Sequence, residues 1–155
     1  MNSNPLVNTE LNIQYELPET TSNISKLTKE QIFQSIRTIK DPEHEFSLEQ
    51  LNVVSVKNIF FEKKENIKIL KVLITPTIPH CSMAAIIGLC VLYKLNSFVN
   101  DDIKNYTLVV VEIEKDTHNN YKLLNKQLSD KERVRAAFEN NNITRVINEC
   151  INWGV

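Results

Sequence analysis

The chain is 155 residues long, 42% hydrophobic and 24% charged, with a formal net charge of −1. That length supplies one core of ordinary size, and that charge lacks the excess of Lys and Arg that neutralising a phosphate backbone requires, so two independent domains, a nucleic-acid binder and a wholly disordered chain are all disfavoured. The three cysteines are odd in number and form no Cys-x-x-Cys pair, which argues against a disulfide framework or a self-contained zinc site and leaves each to act singly.

From Met1 to about Leu27 the chain is dominated by Asn, Ser, Thr and Glu with scattered apolar residues. So little burial does not offset the entropy of ordering, and the expectation for residues 1–27 is a disordered tail, with a short partner-docking segment as the alternative. Met1 to Glu10 lacks the basic start and apolar stretch of a secretory signal, so the expected compartment is the cytosol or the nucleus. Thr28 with Gln31 matches a capping box, and Ile32, Phe33, Ile36 and Ile39 follow at helical spacing, which predicts an amphipathic helix over Lys29–Ile39. Asp41-Pro42 ends it, because the residue before a proline is pushed out of the α region, and Asp41-Pro-Glu-His44 is predicted as a polar turn. β-branched and aromatic residues over Val53–Phe61 and Ile67–Thr75, separated by the polar stretch Glu62–Asn66, predict a hairpin.

Thr75–His80 holds two prolines and is predicted as loop, after which Ser82 is placed to cap a helix running to about Phe98. The stretch Met83–Leu95 is apolar on nearly every face, shorter than the roughly 20 residues of a membrane span and interrupted by Lys94, so it reads as a core helix across the sheet. Tyr106–Ile113 is a third strand, Lys115–Tyr121 a polar loop, Ser129-Asp-Lys-Glu132 a capping box opening a helix over Lys131–Glu139, and Asn142–Ile151 a final helix. Helices and strands do not alternate regularly. The predicted fold is therefore α+β, a small mixed sheet of three to four strands packed by helices, in a single domain over residues 28–155.

Cys81 stands between the proline-bracketed loop and the start of the apolar helix. A helix N-terminus favours an anion and lowers a cysteine pKa from about 8.5 into a range of roughly 3.5 to 7.5, and His80 adds to that if its ring faces the sulfur. The opposing reading is a buried thiol acting as a small apolar filler. Cys90 falls roughly opposite Cys81 on a helical wheel, among Leu89, Val91 and Leu92, and Cys150 is similarly placed, so both read as packing. Asp41, Glu43 and His44 offer oxygen and imidazole ligands, or else an Asx-type turn with exposed charges. Cys81, His44 and His118 are the candidate metal ligands. Lys131-Glu-Arg-Val-Arg135 reads as the solvated first turn of a helix, and Trp153 as packing or a tail contact.

Three blocks then stand out together: Asp41-Pro-Glu-His44 with Ser47-Leu-Glu-Gln-Leu-Asn-Val-Val54; Thr75-Pro-Thr-Ile-Pro-His-Cys-Ser-Met-Ala84 with Ile87-Gly-Leu89; and Asn125-Lys-Gln-Leu-Ser-Asp-Lys-Glu-Arg-Val134. Their order and spacing resemble the eukaryotic family of cytosolic iron–sulfur assembly component two, related to the SufT-like proteins, from about Ile32 to Ile151. The resemblance implies an adaptor, not an enzyme, in the complex that hands assembled clusters to cytosolic and nuclear apoproteins, with a β-propeller subunit and a HEAT-repeat subunit as partners. It implies that Cys81 is the reactive cysteine, set in a motif of Thr75, Pro76, Pro79, His80 and Ser82. It also implies a partner or structural motif of Asp41, Pro42, Glu43, His44, Asn125, Lys126, Glu132 and Arg133.

One departure is Asp116-Thr-His118, where members of the family usually carry glycine in place of the aspartate; a non-glycine residue tolerates positive φ there only through the left-handed region that Asp accepts comparatively well. A single thiolate does not hold a four-ligand cluster, so no firmly bound cofactor is expected, and an iron–sulfur cluster would be transient and shared with another chain or a second copy in a homodimer. Neither nucleic acid nor a membrane is an expected partner. Two readings compete with the adaptor: a cysteine enzyme with Cys81 as nucleophile and His80 or His118 as base, and an interaction module whose Cys81 is inert.

Overall fold

Thr28 and Gln31 exchange both hydrogen bonds of the predicted capping box, Gln31 N–H to Thr28 Oγ1 at 3.2 Å and Thr28 N–H to Gln31 Oε1 at 3.0 Å, and so set the start of α1, Lys29–Ile36. The structure is a computed structural model in which residues 27–98 and 107–153 are described. The predicted tail, apart from Leu27, and Tyr106 of the predicted third strand lie outside them. Helix α1 stops three residues short of the predicted Ile39 because the chain turns back to pair with itself. Leu48 N–H donates to Ile39 O at 2.8 Å, Asp41 N–H to Phe46 O at 2.9 Å, and Lys40 and Ser47 form an isolated β-bridge. Ile39 is nonetheless buried.

The block after the bridge is one helical turn capped at both ends. Ser47 Oγ accepts from Gln50 N–H at 3.2 Å while Gln50 Oε1 accepts from Ser47 N–H at 2.9 Å, a capping box in front. Behind, Val53 N–H donates to Leu48 O and Asn52 N–H to Glu49 O, with Asn52 at φ 58, the pattern that closes a helix through a left-handed residue. Leu48, Leu51, Val53 and Val54 are buried by it. Glu49 reaches back to α1: its carboxylate forms an ion pair with Arg37 Nε and accepts from Arg37 Nη2 at 2.7 Å, with the two side chains 8% and 9% exposed. Arg37 Nη1 also donates to Gln34 Oε1 at 3.1 Å.

The hairpin forms, shifted along the chain. Strand β1 is Ile59–Lys64 and β2 is Ile67–Ile74, antiparallel, with Lys64 opposite Ile67. The predicted start at Val53 is corrected because Val53 and Val54 belong to the capped turn and Val56–Asn58 forms a 3₁₀ turn. The predicted turn Glu62–Asn66 is corrected to Glu65-Asn66, with Glu65 at φ 57, so Glu62, Lys63 and Lys64 extend the strand. Strand β3, Thr107–Ile113, pairs parallel to β2, and the order is β1-β2-β3. The fold is therefore α+β with a mixed sheet, of three strands among the described residues.

Helix α2, Ala84–Asn96, crosses from β2 to β3 and is buried along most of its length. Helices α3, Tyr121–Ser129, α4, Lys131–Glu139, and α5, Asn141–Ile151, follow. Helix α3 was not predicted; its signal was Leu124 and Leu128, one helical turn apart and packed on the core. Because Ser129 belongs to α3, the cap of α4 is Asp130, whose Oδ1 accepts from Glu132 N–H and Arg133 N–H. Asn140 caps α5 in the same way. Gly88 lets α2 and α3 approach closely, since a Cβ there would stand 2.7 Å from Leu128 Cδ1. No helix among the described residues is long and apolar enough to cross a membrane.

Candidate functional site

Parallel pairing of β2 and β3 sends the loops at their carboxyl ends out from the same end of the sheet, where open α/β sheets bind their ligands. The loop after β2 carries Thr75–Met83 and the loop after β3 carries residues 114–120. Backbone bonds stitch them together: Glu114 N–H to Ile74 O at 2.9 Å and Asn119 N–H to Pro79 O at 2.7 Å. Thr75 Oγ1 donates to Glu114 Oε2 at 2.7 Å. Cys81 N–H donates to Ile78 O at 3.2 Å, closing a turn whose second residue is Pro79, where the fixed proline φ is favoured. Pro76 is buried and His80 exposed.

Asp116 adopts φ 63 and so takes the left-handed conformation that the loop requires. The loop then returns His118 beneath the cysteine, where it is buried at 8% exposure. His118 Nε2 donates to Cys81 O at 2.8 Å and Nδ1 accepts from Asn120 N–H at 2.9 Å. Both ring nitrogens are thus committed to backbone atoms in one neutral tautomer.

A third segment arrives from the turn after α1. Asp41 is buried, and its Oδ1 accepts from Glu43 N–H at 2.8 Å and His44 N–H at 3.1 Å, the Asx-type turn rather than a ligand set. Ser82 Oγ donates to Glu43 Oε1 at 3.3 Å. Ser82 therefore does not cap α2 as predicted; Met83 is the N-cap residue and provides no side-chain cap.

Cys81 itself is 8% exposed and borders a cavity of about 240 Å³ lined also by His80, Ala85, His118 and Leu124. Burial pushes its thiol above the ordinary value, the amides of Met83 and Ala84 pull the other way, and the Glu43 and Asp41 carboxylates add to the rise. The predicted anion-stabilising helix start is thus present as two amide groups, but burial and the acidic turn outweigh it. The predicted lowered pKa of Cys81 is corrected accordingly.

Asn125 faces the backbone end of β3, accepting from Ile113 N–H at 2.6 Å and donating to Ile113 O at 3.1 Å. Its amide replaces a strand neighbour at the edge. Lys126, Glu132 and Arg133 are exposed. Cys81, His44 and His118 do not assemble into a ligand set: no group of three or more His, Cys, Asp or Glu among the described residues is arranged to hold a metal ion. Cys90 and Cys150 do meet, contrary to the expectation that each acts singly. Both are buried between α2 and α5 as free thiols, and Cys90 donates its S–H toward Cys150, which raises the pKa of Cys90 and lowers that of Cys150. Sequence reasoning also missed Arg37, Glu114 and Asn119, whose partners lie on other segments.

The fold and site define a small α+β domain that presents a cysteine loop clamped by two neighbouring loops. No family model matches the chain. A relative in Drosophila melanogaster, MIP18 family protein galla-2, is 47% identical over 123 residues, covering 79% of this chain and 75% of its own length. Cytosolic iron-sulfur assembly component 2B of Mus musculus is 45% identical over 121 residues, 78% of this chain and 71% of its own. Protein AE7 of Arabidopsis thaliana is 38% identical over 156 residues, 97% of this chain and 94% of its own. The chain belongs to the MIP18 family, that of the cytosolic iron–sulfur assembly component 2 proteins.

Proposed function

We propose that this chain serves cytosolic iron–sulfur assembly as an adaptor in a targeting complex, and that the surface around Cys81 is where cargo or client is passed on. The names of the relatives support the assembly role. The observation that carries the adaptor reading is the convergence of the Asp41 turn, the Cys81 loop and the His118 loop on one end of the sheet, held together by backbone and side-chain hydrogen bonds. Such a clamp makes a rigid, shaped recognition surface. A cysteine nucleophile needs a base beside its sulfur and a lowered pKa, whereas His118 spends both nitrogens on backbone atoms and the Cys81 thiol is pushed upward. The geometry therefore favours the adaptor over the cysteine enzyme.

The cluster is cargo. A cluster touching Cys81 takes its remaining thiolates from a client, a partner or a second copy, since conventional clusters want four. The partners are a β-propeller subunit, a HEAT-repeat subunit and the iron–sulfur apoproteins of cytosol and nucleus. Affinity capture of the wild-type chain and of Cys81→Ala from native cytosol tests the reading. Both should recover the two scaffold subunits, and cells carrying only the variant should hold client proteins that lack clusters. Failure to capture either scaffold subunit, or full cluster loading in the variant cells, would overturn it.

A further inference from the structure

Among the described residues β1 has a strand neighbour on one side only, since the sheet order is β1-β2-β3. Its other edge pairs with no strand among the described residues. An exposed edge with apolar side chains is a template for pairing, and proteins usually cover it. Phe61 on β1 is 38% exposed, and a groove of about 270 Å³ runs beside it, lined by Leu27, Phe61, Glu62, Lys63 and Lys68. Leu27 shares that groove, and the Lys29 ammonium stands 5.8 Å from the Phe60 ring, so the chain enters the described domain alongside β1.

What precedes that entry is patterned as a strand. Leu11, Ile13, Tyr15 and Leu17 alternate with Asn12, Gln14 and Glu16, and Pro18 follows. This is the period-2 signature of one apolar and one polar face, bounded by a residue that ends strands. Composition alone hides it, because the segment sits in a run of Asn, Ser and Thr. The ten residue steps from Leu17 to Leu27 span up to about 33 Å when extended, enough to lay a strand along β1 in either direction. Charge is complementary as well. Glu10, Glu16 and Glu19 precede Leu27 with no Lys or Arg before Lys26, while the hairpin carries Lys63, Lys64, Lys68 and Lys71 against Glu62 and Glu65.

We propose that Leu11–Leu17 of this same chain adds a fourth strand to the free edge of β1, laying its apolar face over Phe61 and Leu27, with Glu16 on the opposite face, the side of β1 that carries Lys64. On β1, Ile59, Phe61 and Lys63 share the face whose cross-strand partners Val72 and Leu70 are fully buried. The apolar side of the added strand therefore extends the core sideways. The stems of Lys63 and Lys68, which line the groove, lie along its apolar side chains and keep their ammonium groups in water. The segment is thereby part of the domain, and it occupies the one edge of β1 through which another chain would pair.

Residue-resolved amide hydrogen exchange on the full-length chain, compared with full-length Ile13→Asp/Tyr15→Asp, tests this. In the wild type, alternate amides of residues 11–17 and the β1 amides pointing away from β2 should exchange about tenfold or more slower than an unstructured chain, at a rate independent of protein concentration. In the variant both sets should lose that protection while the amides of Leu70 and Val72 keep theirs, which shows that the core is intact. Unprotected amides over residues 11–17 in the wild type would overturn the proposal. So would protection that survives the double substitution, or protection that grows with protein concentration, which would assign the edge to a second copy.

Discussion

The Arg37–Glu49 pair should behave as a buried ion pair whose worth is seen only when it is broken. Both side chains are nearly covered, the guanidinium meets the carboxylate through two nitrogens, and Glu49 N–H donates to Arg37 O at 3.2 Å. Arg37→Met strands the Glu49 carboxylate in the core, and removing one partner of such a pair costs about 3–5 kcal/mol. For a domain of this size that is a fall in melting temperature of roughly 12–20 °C. Replacing both, Arg37→Met with Glu49→Leu, removes the orphan charge together with its partner, and the double variant should return to within about 1 kcal/mol of wild type. Urea unfolding followed by circular dichroism gives the four corners of the cycle. Because the pair closes the segment that carries Asp41, the single variants should also loosen the turn beside Cys81, read as faster alkylation of that thiol below the unfolding transition. A single variant costing less than about 1 kcal/mol, or a double variant no better than the worse single, would refute the reasoning.

Three further outcomes follow from the geometry. Gly88→Ala should destabilise the wild type by about 1–2 kcal/mol, because overpacking against Leu128 exceeds the gain in helix propensity, yet it should stabilise Leu128→Ala by filling the space left there; stabilisation in both backgrounds would contradict the close approach. His118→Phe, which leaves Cys81 O and Asn120 N–H without a side-chain partner, should cost about 1–3 kcal/mol and speed native alkylation of Cys81, measured by mass spectrometry. Cys81 has a raised folded-state pKa, so the folded chain binds more protons than the unfolded one above the ordinary thiol value. Its stabilisation is full below about pH 8.5 and is lost as pH climbs through the folded value. Cys81→Ser should flatten that alkaline decline, and native alkylation of Cys81 should show a midpoint above about 8.5; a midpoint below it would restore the activated thiolate.

Features whose partners lie within a few residues were legible in the sequence. The Thr28–Gln31 box and the Asp41 Asx turn close over three residues, whereas the left-handed Asp116 was expected only through the resemblance, whose family usually carries glycine there. Ser82 was misread because its hydroxyl has two suitors, the helix start beside it and Glu43, which is 39 residues away, and only the fold brings the second within reach. The cysteine pKa failed for the same reason. The amides of Met83 and Ala84 are local and were anticipated, whereas the burial and the two carboxylates that outweigh them come from distant segments. Helix α3 escaped because it buries only Leu128 and begins at Asn120 with no side-chain cap, so it carries neither a broad apolar stripe nor a start signal. Cys90 and Cys150 meet through the packing of α2 on α5, which no local pattern encodes.

The parallel pairing of β2 with β3 also sets a timetable for the nascent chain. Cys81 emerges from the ribosome ahead of α2 and β3, and His118, which holds its carbonyl, follows 37 residues later. At translation rates of about 5–20 residues per second the cysteine loop waits roughly 2–7 s without its clamp. During that wait the thiol has neither the burial nor the acidic surroundings that restrain it in the finished domain, and it is then most open to oxidants. Synthesis, rather than the folded lifetime, is the period in which this residue needs protection.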